Sequence, residues 1–250
     1  MSIRAVLFVA ALGESEVCGQ EPTLAPIHFP VLPAAARGAE GFAPPGWRVE
    51  TQARGDLNGD RVADLVFVLL APDVPGAPGR SNRYDRDPSS YANPRIIGIA
   101  WGRREGGYRL ALNNHDFLPP KWAPNGLSQG WMLFEEGSLE ASRGRLRIYF
   151  QYTRDQRTFT FALRQGALRL IGYESGGVSG GCLQHLSINF LTRRARMEAG
   201  WVDRDGGPVR WMRLGSRPLA TLDGMGEGEA LDPYGLESHF PLRCPERPRG

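Results

Sequence analysis

Ser142-Arg143-Gly144-Arg145-Leu146-Arg147-Ile148-Tyr149-Phe150-Gln151-Tyr152 begins with a turn signal and then alternates. Side chains on a strand repeat every two residues, so Leu146, Ile148, Phe150 and Tyr152 fall on one face and Arg145, Arg147 and Gln151 on the other. That is a half-buried strand with one side on a core. The same period recurs in Ile97, Ile99 and Trp101, and in Phe159, Phe161 and Leu163 with Thr158, Thr160 and Ala162 turned outward. It returns in Leu186, Ile188 and Phe190. Glu105-Gly106-Gly107, Ser142-Arg143-Gly144, Gln165-Gly166 and Asp205-Gly206-Gly207 punctuate these runs at hairpin intervals. No window of helical length carries a 3.6-residue apolar stripe. The expected fold is therefore all-β over residues 47–232, with antiparallel meander sheets forming a sandwich or curved layers. An incomplete propeller-like arrangement is the alternative.

N-terminal to those runs lies Asp56-Leu57-Asn58-Gly59-Asp60-Arg61-Val62-Ala63-Asp64, followed by the continuous apolar run Leu65-Val66-Phe67-Val68-Leu69-Leu70. The run reads as a strand buried on both faces. In the loop, Asp56, Asn58, Asp60 and Asp64 occupy positions 1, 3, 5 and 9, and the Val62 carbonyl position 7, an oxygen set of the kind calcium accepts. Phe67 stands where an EF-hand would place its bidentate glutamate, so the loop is expected between strands rather than helices. A turn closed by Asx hydrogen bonds, with Arg54 and Arg61 neutralising the carboxylates, is the other reading. The loop resembles the D-x-[DN]-x-D-G-x-x-D-L loops of FG-GAP and VCBS-type repeats, with Arg61 in place of the usual glycine. That resemblance implies a structural calcium ion. A full propeller would need the loop repeated, and its only echo is Asp203-Arg204-Asp205-Gly206-Gly207, which lacks the closing aspartate.

Arg4, the apolar run Ala5 to Leu12 and Val17-Cys18-Gly19 before Gln20 read as a signal peptide over residues 1–19, which places the protein in the periplasm or outside the cell. An ordinary first strand is the bland alternative. Residues 20–46 are rich in proline and read as an extended linker or a segment laid over the surface. Removing the leader takes Cys18 with it, leaving Cys182 and Cys244 to form one disulfide that ties the tail, 233–250, to the body, or to remain two free thiols. Net charge is +3, and every basic residue except Lys121 is arginine, which reflects base composition rather than nucleic-acid binding. No apolar run reaches the ~20 residues of a membrane span. The segments Asn93-Pro94-Arg95, Gly107-Tyr108-Arg109-Leu110, Thr158-Phe159-Thr160-Phe161, Leu168-Arg169-Leu170-Ile171-Gly172-Tyr173 and Leu186 to Thr192 together resemble exported Gram-negative bacterial β-proteins. No catalytic residues carry over from that group.

Chemistry-bearing motifs are sparse. Gly177-Val178-Ser179-Gly180-Gly181 satisfies G-x-S-x-G, and with Cys182-Leu183 it resembles the nucleophile segment of chymotrypsin-like proteases, with Val178 in place of the aspartate. His115, beside Asp116, is the one candidate base, and a serine hydrolase using Ser179 and His115 is the enzyme alternative. His28, His115, His185 and His239 lack zinc-ligand spacing. Asp223, Glu227, Glu229 and Asp232 read as a solvated acidic loop or a second cation site. Two long connections, 71–95 and 113–131, the second with His115, Asp116, Trp122 and Trp131, are expected to carry recognition. The sequence thus weighs against an enzyme and toward a non-catalytic, calcium-stabilised module that engages an envelope or secreted protein or glycan, in an adhesion or inhibitor role.

Overall fold

The computed structural model describes residues 29–72, 94–118, 137–151, 154–203, 206–226, 244 and 246. The chain is all-β. Among the described residues twelve strands follow in order: β1 (Ala35–Ala36), β2 (Arg48–Gly55), β3 (Asp64–Leu70), β4 (Arg95–Gly102), β5 (Tyr108–Asn114), β6 (Leu139–Ser142), β7 (Arg145–Gln151), β8 (Asp155–Arg164), β9 (Ala167–Ser179), β10 (Cys182–Asn189), β11 (Arg194–Trp201) and β12 (Val209–Arg213). Helix among the described residues is confined to 3₁₀ turns at Ala39–Phe42 and Leu222–Gly224.

The strands form two antiparallel sheets, one of five strands ordered β1-β5-β4-β3-β2 and one of seven ordered β12-β11-β10-β9-β8-β7-β6. The larger sheet is strongly curled. This is the expected curved meander pair, not a set of four-stranded blades. Hairpins of the larger sheet turn at two of the glycine signals, Arg143-Gly144 and Gln165-Gly166, and at Gly180-Gly181, which was not among them; all three have positive φ at both central residues, as a type I′ turn requires.

The two sheets enclose one core. Val66, Val68, Ile97 and Ile99 of the small sheet pack with Leu146, Ile148, Phe150, Phe159, Phe161, Tyr173, Leu186 and Ile188 of the large one. Alternation placed Ile97, Ile99, Leu146, Ile148, Phe150, Phe159, Phe161, Leu186 and Ile188 on the core face correctly, but β4, expected to be half-buried, is buried on both faces from Arg95 to Ala100. Thr158 and Ala162, expected outward, are 8% and 6% exposed. They keep the outward parity but are flanked in register by the longer Tyr149 and Glu174, and by Arg145 and Arg169. Phe117, just after β5, stands edge-on to Phe150, Phe159 and Phe161 at centroid distances of 5.6, 5.2 and 6.0 Å. Asn114 holds it there. Its Oδ1 accepts from the Asp116 and Phe117 N–H groups, and its Nδ2 donates to the carbonyls of Leu222 and Met225, so one buried amide joins the end of β5 to the chain's later segment.

The outer face of the small sheet is covered as well. Of the two readings of the proline-rich segment, residues 29–46 follow the one laid over the surface and not the free linker: β1 pairs with β5, and Leu32, Ala39 and Phe42 pack onto Leu65, Phe67, Leu69 and Ile96 as a second core. Every residue of β3 is consequently buried, as its unbroken apolar run required. Phe42 stacks on Phe67 at 5.0 Å, and Phe67 lies against Gly98, where a Cβ would come within 2.2 Å of the ring. A bulge in β2 between Val49 and Thr51 re-aims Glu50. Its carboxylate meets the Nε and Nη2 of Arg95 at 2.6 and 2.7 Å, with the two side chains 10% and 1% exposed.

Candidate functional site

The loop between β2 and β3 starts where the two sheets meet, since the Asp56 carbonyl accepts the Gly144 N–H of the β6–β7 turn at 3.1 Å. Its side chains close it from within. Asp56 accepts the N–H groups of Gly59 and Arg61 at 2.6 and 2.9 Å, Asn58 that of Asp60 at 2.9 Å, and Asp60 that of Val62 at 2.8 Å. Asp64 is fully buried and accepts from Leu57 at 2.8 Å and from Gly102 of β4 at 2.9 Å. Leu57 is thereby set into the main core. Burial pushes the Asp64 carboxyl above its ordinary value, against the pull of these N–H groups and with a further push from the Asp60 charge.

The Asx turns of the second reading are therefore present, but its charge neutralisation is not. Neither Arg54 nor Arg61 forms an ion pair with the loop among the described residues. The donors of Asp56, Asn58, Asp60, Asp64 and the Val62 carbonyl are all hard oxygens, and Arg61 takes φ 67, making the sharp turn at position 6 that calcium loops assign to glycine. These oxygens are of the type calcium takes, and each of the four side chains also accepts backbone N–H groups of the turn or of β4. Among the described residues, no three His, Cys, Asp or Glu side chains stand grouped to hold a metal. An arginine in the left-handed region carries backbone strain, so Arg61→Gly should raise stability by about 0.5–1 kcal/mol, net of the greater freedom of glycine in the unfolded chain. Urea denaturation measures this, and a lowered midpoint would show that the Arg61 side chain contributes more than its strain costs.

The G-x-S-x-G segment is a hairpin. Ser179 ends β9 opposite Cys182, and Gly180-Gly181 turn the chain straight into β10, where a hydrolase elbow would need a helix. His115 lies beyond the end of β5, its ring 4.2 Å from that of Phe29 and its Nε2 3.8 Å from Asp116. No hydrogen bond among the described residues joins Ser179 to His115. Cys182, 7% exposed, is bonded to Cys244 as expected. Residues 1–19, read as a signal peptide, most of both long connections (73–93 and 119–136, with Trp122 and Trp131), and Glu227, Glu229 and Asp232 lie outside the described residues.

A feature not anticipated from sequence is a cleft of 610 Å³ on the curled sheet. Register places Gln151, Gln156, Gly176, His185, Glu198 and Val209 in one row across β7 to β12. The first five line the cleft, with Asp155, Gln184 and Trp201 nearby. Gly176 supplies floor without a side chain. The Tyr149 hydroxyl lies 2.8 Å from Gln156 Oε1, and Arg196 Nη2 lies 2.6 Å from Glu198, holding that carboxyl below its ordinary value. None of the described lining residues is Ser, Thr, Cys or Lys, so the cleft offers hydrogen-bond donors and acceptors but none of those four nucleophiles. The residues come from separate strands, and only the sheet register reveals them as neighbours. The chain matches no family model, no curated protein and no solved structure. No helix among the described residues is long and apolar enough to cross a membrane.

Proposed function

We propose that this protein is a non-catalytic binding module of the bacterial cell envelope, exported and stabilised by calcium, whose cleft on the curled sheet takes a polar ligand such as a glycan. The observation that carries this is the cleft: amides, an imidazole, carboxylates and Arg154 converge over a glycine floor beside Trp201, Val178 and Leu183, polar groups set in a partly apolar wall. The disulfide supports export, because such bonds persist in oxidising compartments. Calcium would be held by Asp56, Asn58, Asp60, Asp64 and the Val62 carbonyl. It would supply the positive charge that no arginine among the described residues brings to the loop.

Titration calorimetry with envelope polysaccharide fractions tests the cleft. A side chain at Gly176 has room, its Cβ lying 3.5 Å from Gln156, so Gly176→Val should fold normally while filling the floor. Binding by the wild type with at least tenfold loss in Gly176→Val is the expected result, and equal affinities would remove the cleft from the function. Specific labelling of Ser179 by a fluorophosphonate would overturn the non-catalytic reading.

Calcium is tested separately. At a free concentration about 100 times Kd it should add ~2.7 kcal/mol to wild-type stability, seen as a higher thermal midpoint than in chelator, and add far less to Asp60→Ala. Identical midpoints with calcium and chelator would leave the loop a hydrogen-bonded turn alone.

A further inference from the structure

We propose that the open edge of β12 takes up an extended acidic segment of a partner protein as a further strand of the curled sheet, independently of any ligand in the cleft. Among the described residues β12 is the last strand of that sheet and pairs only with β11. The Leu214 N–H donates to the Arg193 carbonyl at 2.9 Å, which fixes the alternation. Arg210 and Met212 therefore face β11, and Val209, Trp211 and Arg213 turn their N–H and C=O groups outward. Nothing among the described residues bonds to these groups. An edge with free donors and acceptors is a template for strand addition.

The side chains select the partner. Arg194 stands directly across from Arg213 on the outer face, and like charges so placed destabilise a sheet. Among the described residues neither arginine forms an ion pair, nor does Arg193, whereas Arg196 is already engaged by Glu198. Trp211, between these charges, is 65% exposed, and Val209 is 43% exposed. Arginines that merely guarded an edge against association would not flank an uncovered tryptophan on the same strand. A second copy of this chain pairing through β12 would bring arginine against arginine. An acidic strand satisfies the backbone groups and the charges together, and leaves Trp211 to pack on its side chains. An anionic membrane would meet the charges but leave the edge groups unused.

The probe is a dye-labelled peptide of alternating glutamate and valine, followed by fluorescence anisotropy, with an alternating lysine and valine peptide as control. Binding of the acidic peptide alone is expected, with at least tenfold loss in Arg213→Glu. Val209→Pro removes one outward N–H and no bond to β11, a position at which proline is tolerated on an edge strand. It should also weaken binding at least tenfold, with thermal midpoints confirming that both variants are folded. Wild-type affinity in folded Val209→Pro would overturn strand addition. So would binding of the protein to vesicles of anionic phospholipid but not to the peptide.

Discussion

Replacing Glu50 with glutamine should lower stability by about 3–5 kcal/mol, because the Arg95 charge would stay buried after its carboxylate is gone. Glutamine keeps the shape and one acceptor, so the loss reports the charge rather than a cavity. The double variant Glu50→Leu with Arg95→Met should recover most of it, since taking two charges out of water offsets much of what their attraction contributes. Urea denaturation of the single and double variants decides the matter. A small loss in Glu50→Gln would mean that water or another acceptor reaches Arg95.

Removing the disulfide is the second large effect. Cys182 and Cys244 are 62 residues apart in sequence, and restoring the freedom of a loop that long to the unfolded chain costs ~4 kcal/mol on the chain-entropy estimate. Cys182→Ala combined with Cys244→Ala should therefore show a clearly lowered denaturation midpoint, with the oxidised wild type showing no titratable thiol at these positions. A difference under about 1 kcal/mol would place residual structure in the unfolded chain near this loop.

Strands whose two faces differ were legible in the sequence, since Leu146, Ile148 and Phe150 or Phe159 and Phe161 cannot all be buried except on one side of a sheet. β3 was legible for the opposite reason: an unbroken apolar run has no polar face to expose. What escaped was anything that depends on which strands are neighbours. Glu50 and Arg95 lie 45 residues apart and meet only because a bulge shifts the parity of β2. For the proline-rich residues 29–46 composition left a linker and a surface-laid segment both open, and Leu32 and Phe42 are buried because the outer face of β3 is apolar and must be covered. The loop at Asp56 to Asp64 was visible as a motif, since its donors are close in sequence. The cleft was invisible, because Gln156, His185 and Glu198 come from three strands and each alone reads as an ordinary outward polar residue.

Spatial order in the curled sheet is the same as chain order, every strand from β6 to β12 pairing with its sequence neighbour. Each hairpin closes a short loop, so the entropy lost per closure is small and the ladder can grow one strand at a time. The small sheet needs a longer closure, with Ala35 brought to Arg109 across the β2–β5 meander. Kinetically the molecule is thus divided: the larger sheet is placed to form early from local contacts, and the N-terminal cover and the disulfide to be fixed late. Substitutions in the β7–β9 hairpins should slow refolding, whereas those in residues 29–46 should mainly speed unfolding.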